Sequence, residues 1–186
     1  MAAQTTGLGS FTAALPYGGA RPSLFEFQIT AAPSAVDSSL SSVNLYCNVS
    51  EIPPLTLTPI ERQYMARTVK IPGDLVFADL TTTIINTEKY NVRNEIEKWM
   101  EVINGTISNE GVADVNFGTV TAQLVHYQKD GTATMTYEFV DCWPTAISEI
   151  ALSYDTASDI EQFDVTWAYN YYTFTGGAVT TDSTQG

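Results

Sequence analysis

The sequence has little positive charge. Among its 186 residues, eight Lys and Arg stand against 21 Asp and Glu, so the net charge at pH 7 is −13 and the pI is near 4.1. Contacts of Lys and Arg with phosphate supply most of the affinity of proteins for nucleic acids, and an acidic surface repels the phosphate backbone. The composition therefore argues against binding of nucleic acid through phosphate contacts.

Cysteine and histidine are also scarce. Cys47 and Cys142 lie far apart inside predicted strands and have no C-x-x-C spacing, so we expect packed thiols and no disulfide framework. His126 is the only histidine, so a histidine metal site or a catalytic triad would have to be built around it alone, and a core or interface histidine is the simpler interpretation. Asp155 and Asp159 flank a predicted turn, where solvation explains them more simply than calcium binding. We predict no enzymatic activity, no metal and no cofactor.

Long apolar runs are missing. No stretch approaches the roughly 18 apolar residues of a membrane span, and residues 1–21 lack the basic region and apolar run of a signal peptide. We therefore expect no membrane insertion and synthesis in the cytoplasm. With 44% hydrophobic residues, the chain is long enough to bury one core.

Alternation of apolar and polar residues is the main structural signal in the sequence. It marks half-buried strands at 24–29, 43–49, 133–143 and 160–172. Pro72-Gly73-Asp74 and Asp130-Gly131 are turn signals and predict two hairpins. We predict a mainly β fold, an antiparallel β-sandwich or partial barrel of about eight strands.

A single flanking helix is predicted from Tyr90 to Ile103. Its apolar stripe falls at helical spacing, and Asn104-Gly105 supplies a stop. The residues expected to pack on the sheet are Val92, Ile96, Trp99 and Ile103. Around this core we expect an irregular N-terminal arm at 1–19, a β domain at 20–172 and a mobile tail at 173–186.

Charge is unevenly distributed along the chain. Six of the eight basic residues lie between Arg62 and Lys98, whereas the segment from Asp130 onward has nine acidic residues and no basic one. Unlike surfaces on one molecule favour head-to-tail contacts, which repeat into rings or filaments. The distribution predicts self-assembly, with simple solubility as the alternative.

Several short motifs, taken in order, resemble the tail tube proteins of contractile-tailed bacteriophages. The resemblance covers about residues 20–172. It is carried by Ala20-Arg21-Pro22-Ser23-Leu24-Phe25, Cys47 ahead of Pro53, Lys70, Gly73-Asp74, Phe77, Asp79, Thr81-Thr82-Thr83-Ile84-Ile85-Asn86, Arg93, Trp99, Trp143-Pro144-Thr145, Glu149 and Phe163-Asp164-Val165-Thr166-Trp167-Ala168-Tyr169.

The resemblance implies a structural protein of the virion tail, assembled in the host cytoplasm. Hexameric rings would stack into a tube with a β-barrel lumen, through which DNA passes without specific binding. The implied partners are the sheath, tape-measure, baseplate and tail terminator proteins. Pairing between subunits would also close strand edges that a lone sheet leaves open.

Residues for the bore and for outer contacts follow as hypotheses. We expect the hairpins at 43–69 and 119–143 to line the bore, with Asn44, Asn48, Thr136 and Glu138 facing it. Arg93 and Lys98 would contact a neighbouring ring or the sheath. The alternatives are the inner tube of a phage-like secretion or bacteriocin particle, and a carbohydrate-binding β-sandwich that displays Tyr169, Tyr171 and Tyr172.

Overall fold

The computed structural model describes residues 8–15, 18–30, 43–111, 119–156 and 159–176. These ranges contain nine strands, three α-helices and one 3₁₀ turn, and every strand pairing is antiparallel. The predicted mainly β, antiparallel class is confirmed. The elements are α1 (Leu8–Ala14), β1 (Phe25–Ile29), α2 (Val43–Tyr46), β2 (Cys47–Ser50), β3 (Leu55–Tyr64), β4 (Arg67–Phe77), β5 (Leu80–Ile85), α3 (Asn91–Ile103), β6 (Val120–Tyr127), β7 (Ala133–Ile147), the 3₁₀ turn Tyr154–Thr156, β8 (Gln162–Ala168) and β9 (Tyr171–Gly176).

The long strand β7 belongs to two layers. Its first part pairs with β6 and β9, which gives a first layer in the order β1-β6-β7-β9, and its last part pairs with β8 in a second layer, β7-β8-β5-β2. Asp141 lies between the two parts with a φ of 56°. The Asn170 side chain donates to Asp141 Oδ2 at 2.8 Å, and the Asn170 N–H donates to the Val140 carbonyl at 3.1 Å. Both chain segments therefore change layer at the same place.

The core lies between the two layers and α3. Trp167 of β8 lies 5.8 Å from the ring of Phe27 in β1 and 5.7 Å from the ring of Trp99 in α3, and all three side chains are fully buried. The helix and the first layer thus meet on one side chain of the second layer. No helix within the described ranges is long and apolar enough to cross a membrane.

Thr82 is a buried polar residue in this core, and its side chain is hydrogen-bonded to Trp167. Its Oγ1 accepts a hydrogen bond from Trp167 Nε1 at 2.8 Å, and neither side chain is exposed. We expect Thr82→Val to lower the free energy of unfolding by about 1–3 kcal/mol, because a similar shape remains while the indole N–H loses its acceptor. Urea unfolding measures this value.

The matched control for that change is Thr81→Val. Thr81 precedes Thr82 on the same strand but is exposed, so the same chemical change should alter stability by no more than about 0.5 kcal/mol. Equal stability of the Thr82→Val protein and the native protein would show that this bond contributes nothing net.

The hairpin expected around Pro72-Gly73-Asp74 is wrong in its turn. Strands β3 and β4 are joined instead by Met65 and Ala66, with φ values of 44° and 62°. Two residues with positive φ form the hairpin turn that matches strand twist. Pro72 and Gly73 lie within β4 beside a bulge, where a Cβ on Gly73 would stand 2.5 Å from the Thr58 carbonyl oxygen. The glycine is needed for close approach and not for turning.

Two predicted strands also differ from the structure. Residues 43–46 form the short helix α2, in which Val43 is buried, so the alternation there does not mark a strand. The expected strand at 160–172 is interrupted between Ala168 and Tyr171 as the chain changes layer. This interruption shifts the phase of the alternation, and Tyr172 rather than Tyr171 packs against the core.

The chain ends contain more regular structure than predicted. The arm at 1–19 includes α1, and β9 continues to Gly176, inside the tail predicted at 173–186. The rest of the predicted arm, at residues 1–7 and 16–17, and the rest of the predicted tail, at residues 177–186, lie outside the described residues.

Candidate assembly surfaces

The outer face of the first layer is polar and acidic. The strand register places rows of side chains across all four strands, alternately toward the core and away from it. The core rows are Phe27-Leu124-Tyr137-Phe174 and Ile29-Ala122-Phe139-Tyr172. The outward rows are Glu26-Val125-Thr136-Thr175 and Gln28-Gln123-Glu138-Thr173. These two outward rows contain two carboxylates and no basic residue.

Glu26 is held by its neighbours as a carboxylate. Tyr127 Oη donates to Glu26 Oε2 at 2.7 Å, and Asn44 Nδ2 donates to Oε1 at 3.0 Å. The hydrogen bond from Tyr127 is the main cause that lowers the pKa of Glu26, and the bonds from Gln28 and Asn44 lower it further. The bond between Tyr127 and Glu26 also raises the pKa of Tyr127. The carboxylate is therefore ionised and fixed in position at neutral pH.

The four residues predicted to line the bore do not share one surface. Thr136 and Glu138 lie on the outer face of the first layer and are half-buried. Asn44 lies in α2, and its side chain reaches the same face through its bond to Glu26. Asn48 lies on β2 in the second layer, exposed, with its Nδ2 3.5 Å from Gln162 Oε1. The predicted hairpin at 43–69 does not form, which is why Asn48 is separated from the others.

Both side edges of the first layer are unpaired in the described structure. β1 pairs only with β6, and β9 pairs only with β7. Because neighbouring strands alternate in direction across the layer, β1 of a second copy would run antiparallel to β9 of the first. Open edges of this kind are templates for pairing with another chain.

The β3–β4 hairpin is exposed along almost its whole length. Every residue of β3 is exposed, as are all but two of β4. Directly opposed residues give the hairpin two different faces. One face, called here the docking face, consists of Ile60, Arg62, Tyr64, Arg67, Val69 and Ile71. The other face, formed by Glu61, Gln63, Thr68 and Lys70, is polar. Exposed fractions of 46–65% for the four apolar or aromatic residues of the docking face mark it as unpartnered.

An aromatic cluster fixes the base of the hairpin. The Phe77 ring lies 5.3 Å from the Tyr172 ring and 6.2 Å from the Tyr169 ring, both in edge-on geometry. Tyr169 Oη also donates to the Ala78 carbonyl oxygen. The hairpin therefore projects from the body at a defined place.

The apolar side of α3 packs against the core. Val92, Ile96 and Trp99 are buried and Ile103 is half-buried.

Arg93, on the same helix, is held by contacts within the subunit. Its Nε donates to Glu97 Oε1 at 2.9 Å, and its Nη1 donates to the Ser148 carbonyl at 3.2 Å. Its guanidinium lies 5.3 Å from the centre of the Phe163 ring.

Lys98, the second residue predicted to make outer contacts, is less restricted than Arg93. Its Nζ lies 2.6 Å from Glu95 Oε1, and 59% of its side chain remains exposed. Most of the Lys98 side chain is thus exposed, whereas Arg93 makes several contacts inside the subunit.

The tyrosines suggested for a carbohydrate platform do not form one. Tyr169 and Tyr172 pack against Phe139 at ring distances of 5.0 and 5.8 Å, and Tyr171 alone of the three is exposed, at 47%.

Over the described ranges, no group of three or more His, Cys, Asp or Glu residues could hold a metal ion. Cys47 and Cys142 are free thiols, and burial raises the pKa of each to about 12.

A family model and a known protein both match the chain, and both describe the same kind of protein. The family model described as "Phage tail tube protein" matches residues 20–175. The tail tube protein gp19 of Enterobacteria phage T4 is 27% identical over 156 residues, which cover 82% of this chain and 90% of that protein.

Solved structures share the fold. The sheath–tube complex of the extracellular contractile injection system PVC contains a chain that matches with a TM-score of 0.62 at 15% identity, covering 93% of this chain and 100% of that chain. The tube-terminating cap of the anti-feeding prophage matches with a TM-score of 0.62 at 13% identity, covering 86% of this chain and 92% of that one. At these identities the likeness shows a common fold.

Proposed function

The chain belongs to the phage tail tube protein family, and from this premise we propose that six copies close into a ring and that the rings stack into the inner tube of a contractile tail. The protein is a structural subunit of the virion tail. In this role it needs contacts at its sides and at its ends.

The observation that carries this proposal is the open edge on each side of the first layer. Pairing β9 of one copy with β1 of the next would continue one antiparallel sheet around the ring. Closure into a barrel removes every free edge, which a single copy cannot achieve. The proposal thus accounts for a four-stranded layer that a monomer leaves unfinished.

In such a ring the outer face of the first layer would line the bore. Thr136 and Glu138 lie on that face with Glu26, so we retain them as bore residues, and we retain Asn44 through its bond to Glu26. Asn48 lacks this support. Carboxylates and small polar groups repel phosphate, so DNA would pass without the counterion release that makes it bind.

Sheath, tape-measure, baseplate and terminator proteins are the proposed partners. The support for a sheath and a cap comes from the PVC and anti-feeding prophage assemblies, whose chains share this fold. Lys98, with its largely exposed side chain, remains our candidate for such an outer contact, while Arg93 does not. The match in sequence is to phage tail tubes, so we favour a virion over a secretion or bacteriocin particle.

Electron microscopy of the purified protein tests the proposal. At high concentration and low salt we expect six-fold rings and stacked tubes with a hollow centre. A protein that remains monomeric under all concentrations and salt conditions would contradict it.

The bore assignment gives a separate prediction. We expect Glu138→Lys tubes, assembled in the presence of short duplex DNA, to retain and protect that DNA from nuclease at low salt and to release it near 1 M salt, where the Debye length falls to about 3 Å. Native tubes should retain none. Nuclease protection followed by gel analysis measures the difference.

The control for this change is Glu101→Lys, which makes the same charge change on an exposed position of α3. It should leave DNA unprotected, because the added charge would lie outside the bore. If the Glu138→Lys tubes protect no DNA, or if the Glu101→Lys tubes protect just as much, the assignment of Glu138 to the bore is contradicted.

A further inference from the structure

The chain ahead of β1 lies across the end of the first layer. This segment, called here the arm, comprises in the described structure residues 8–15 and 18–24. Two of its carbonyl oxygens are held by β6. The Tyr127 N–H donates to the Leu24 carbonyl at 2.8 Å, and His126 Nε2 donates to the Arg21 carbonyl at 2.9 Å. From β1, the arm therefore passes over the neighbouring strand.

Further from β1, the arm extends toward the β9 side of the layer. Ala14 and Leu15 share a cavity of about 510 Å³ with Thr134 of β7 and with residues of the β6–β7 turn. Thr134 precedes Met135, which pairs on the far side with Gly176, the last residue of β9. The arm starts at one open edge of the layer, and α1 therefore lies toward the other.

The helix α1 has the features of a segment that another molecule covers. It has seven residues, which is too short for a helix that is stable alone in water. Phe11, at its centre, is 64% exposed. Residues 1–20 contain no charged side chain, although the net charge of the chain is −13. An uncharged segment can approach a second acidic copy without electrostatic repulsion.

A second cavity, called here the side cavity, lies beside β1 and matches Phe11 in character. Its walls include Pro22, Phe25, Ser50, Ile52, Leu124 and Tyr137. None of the described residues that line it is acidic. Its volume is about 340 Å³. A cavity of roughly 150 Å³ already accommodates benzene, so the side cavity has room for a phenyl group.

The side cavity also contains a hydroxyl group that lacks a partner. Ser50 Oγ is shielded from solvent and has no hydrogen-bond partner among the described residues. Because buried polar groups are nearly always hydrogen-bonded, this oxygen indicates that a further polar group completes the cavity. α1 can supply such a group, since the exposed Ser10 directly precedes Phe11.

We propose that α1 of one copy seats Phe11 in the side cavity of the next copy around the ring. This inference rests on the proposed function, in which β9 of one copy pairs with β1 of the next. In that antiparallel pairing the end of β9 at Gly176 meets the start of β1 at Phe25, which lines the side cavity. The arm would thus join neighbouring copies by a contact additional to strand pairing.

A disulfide experiment tests the contact. Protein that carries both Phe11→Cys and Ile52→Cys is assembled at high concentration and treated with diamide, which oxidises two thiols to a disulfide. Ile52 is 50% exposed, so a thiol at this wall of the side cavity is accessible. On a non-reducing gel we expect a ladder of linked subunits that ends at the full ring, because links between neighbours stop when the ring closes.

Matched cysteine variants control for chance oxidation. Protein with Phe11→Cys and Glu101→Cys places the second thiol on an exposed position of α3 and should give no ladder. Each single change reports bonds to the native thiols of Cys47 and Cys142 and should run as a monomer. A reducing agent should collapse the ladder of the double variant.

Assembly without cross-linking gives a second measure. We expect Phe11→Ser to raise the concentration at which half of the protein forms rings by about ten-fold, because the apolar gain from burying the phenyl group is lost. Phe11→Leu keeps an apolar group and should assemble at a concentration closer to the native one. Sedimentation measures assembly. Circular dichroism should show both variants folded, since Phe11 is largely exposed in a single copy.

Other outcomes overturn the placement of the arm. Rings or tubes of the double variant that give no ladder would do so and leave the proposed function standing. A disulfide within one subunit, seen as a monomer of altered mobility from assembled protein, would show that α1 occupies its own side cavity. Native assembly by Phe11→Ser would show that Phe11 does not bind there. A native protein that forms neither rings nor tubes would instead refute the proposed function.

Discussion

Replacing Trp99 with alanine is expected to lower the free energy of unfolding by about 3–5 kcal/mol, a large part of the roughly 5–15 kcal/mol that stabilises a typical domain. The side chain is fully buried in the middle of α3, and its ring lies 5.7 Å from that of Trp167. Because Trp167 also contacts Phe27, a cavity at Trp99 would loosen the helix and both layers together. We expect little soluble protein and no rings.

The matched control is Trp143→Ala. Trp143 lies on β7 with 36% of its surface exposed, so the same truncation leaves a smaller cavity and removes less buried area. Urea unfolding of the soluble variants compares the two. If the Trp99→Ala protein expresses normally and unfolds at the native midpoint, α3 is not packed as described.

The double change Ile60→Lys with Ile71→Glu is expected to abolish tubes and leave the subunit folded. These residues face each other directly across the hairpin and are 46% and 48% exposed, so little apolar burial within the subunit is lost. Opposite charges at facing positions preserve attraction between the strands. The apolar side chains of the docking face are exposed in the single subunit, so we expect another copy to cover them in the tube. The added charges would remove most of the gain from burying that face.

Gln63→Lys with Thr68→Glu provides the control, since it places the same charges at a facing pair on the other side of the hairpin. This protein should still form tubes. Electron microscopy reports assembly, and thermal unfolding reports folding of each variant. Loss of tubes from both proteins alike would mean that any added charge on the hairpin prevents stacking and that the docking face has no special role.

Part of the assembly surface was predictable from the sequence. Thr136 and Glu138 lie on an alternating strand with a clear turn signal at Asp130-Gly131, and the structure keeps them on one outward face. Glu26, two strands away in the first layer, could not be assigned to that face because strand order joins residues distant along the chain. Arg93 was predicted to point outward, but its contacts with Ser148 and Phe163 come from another part of the chain.

The turn of the β3–β4 hairpin could not be located from the sequence either. Met65 and Ala66 carry no turn signal, whereas Pro72-Gly73-Asp74 carries a strong one and lies within a strand. The docking face exists only because the turn falls at Met65, which sets Ile60 opposite Ile71. A shift of one residue would have turned the polar side chains to that face.

By itself, the sequence determined the mainly β class, the helix at 91–103, the acidic character and the likeness to tail tubes, because these depend on local periodicity, composition and the order of short motifs. Tertiary structure alone decided the turn at Met65–Ala66, the helix at 43–46, the change of layer at Asp141 and Asn170, and which strand edges stay open. The reason is physical: local patterns fix how a segment can fold, while register and strand order are set by contacts between segments far apart in the chain.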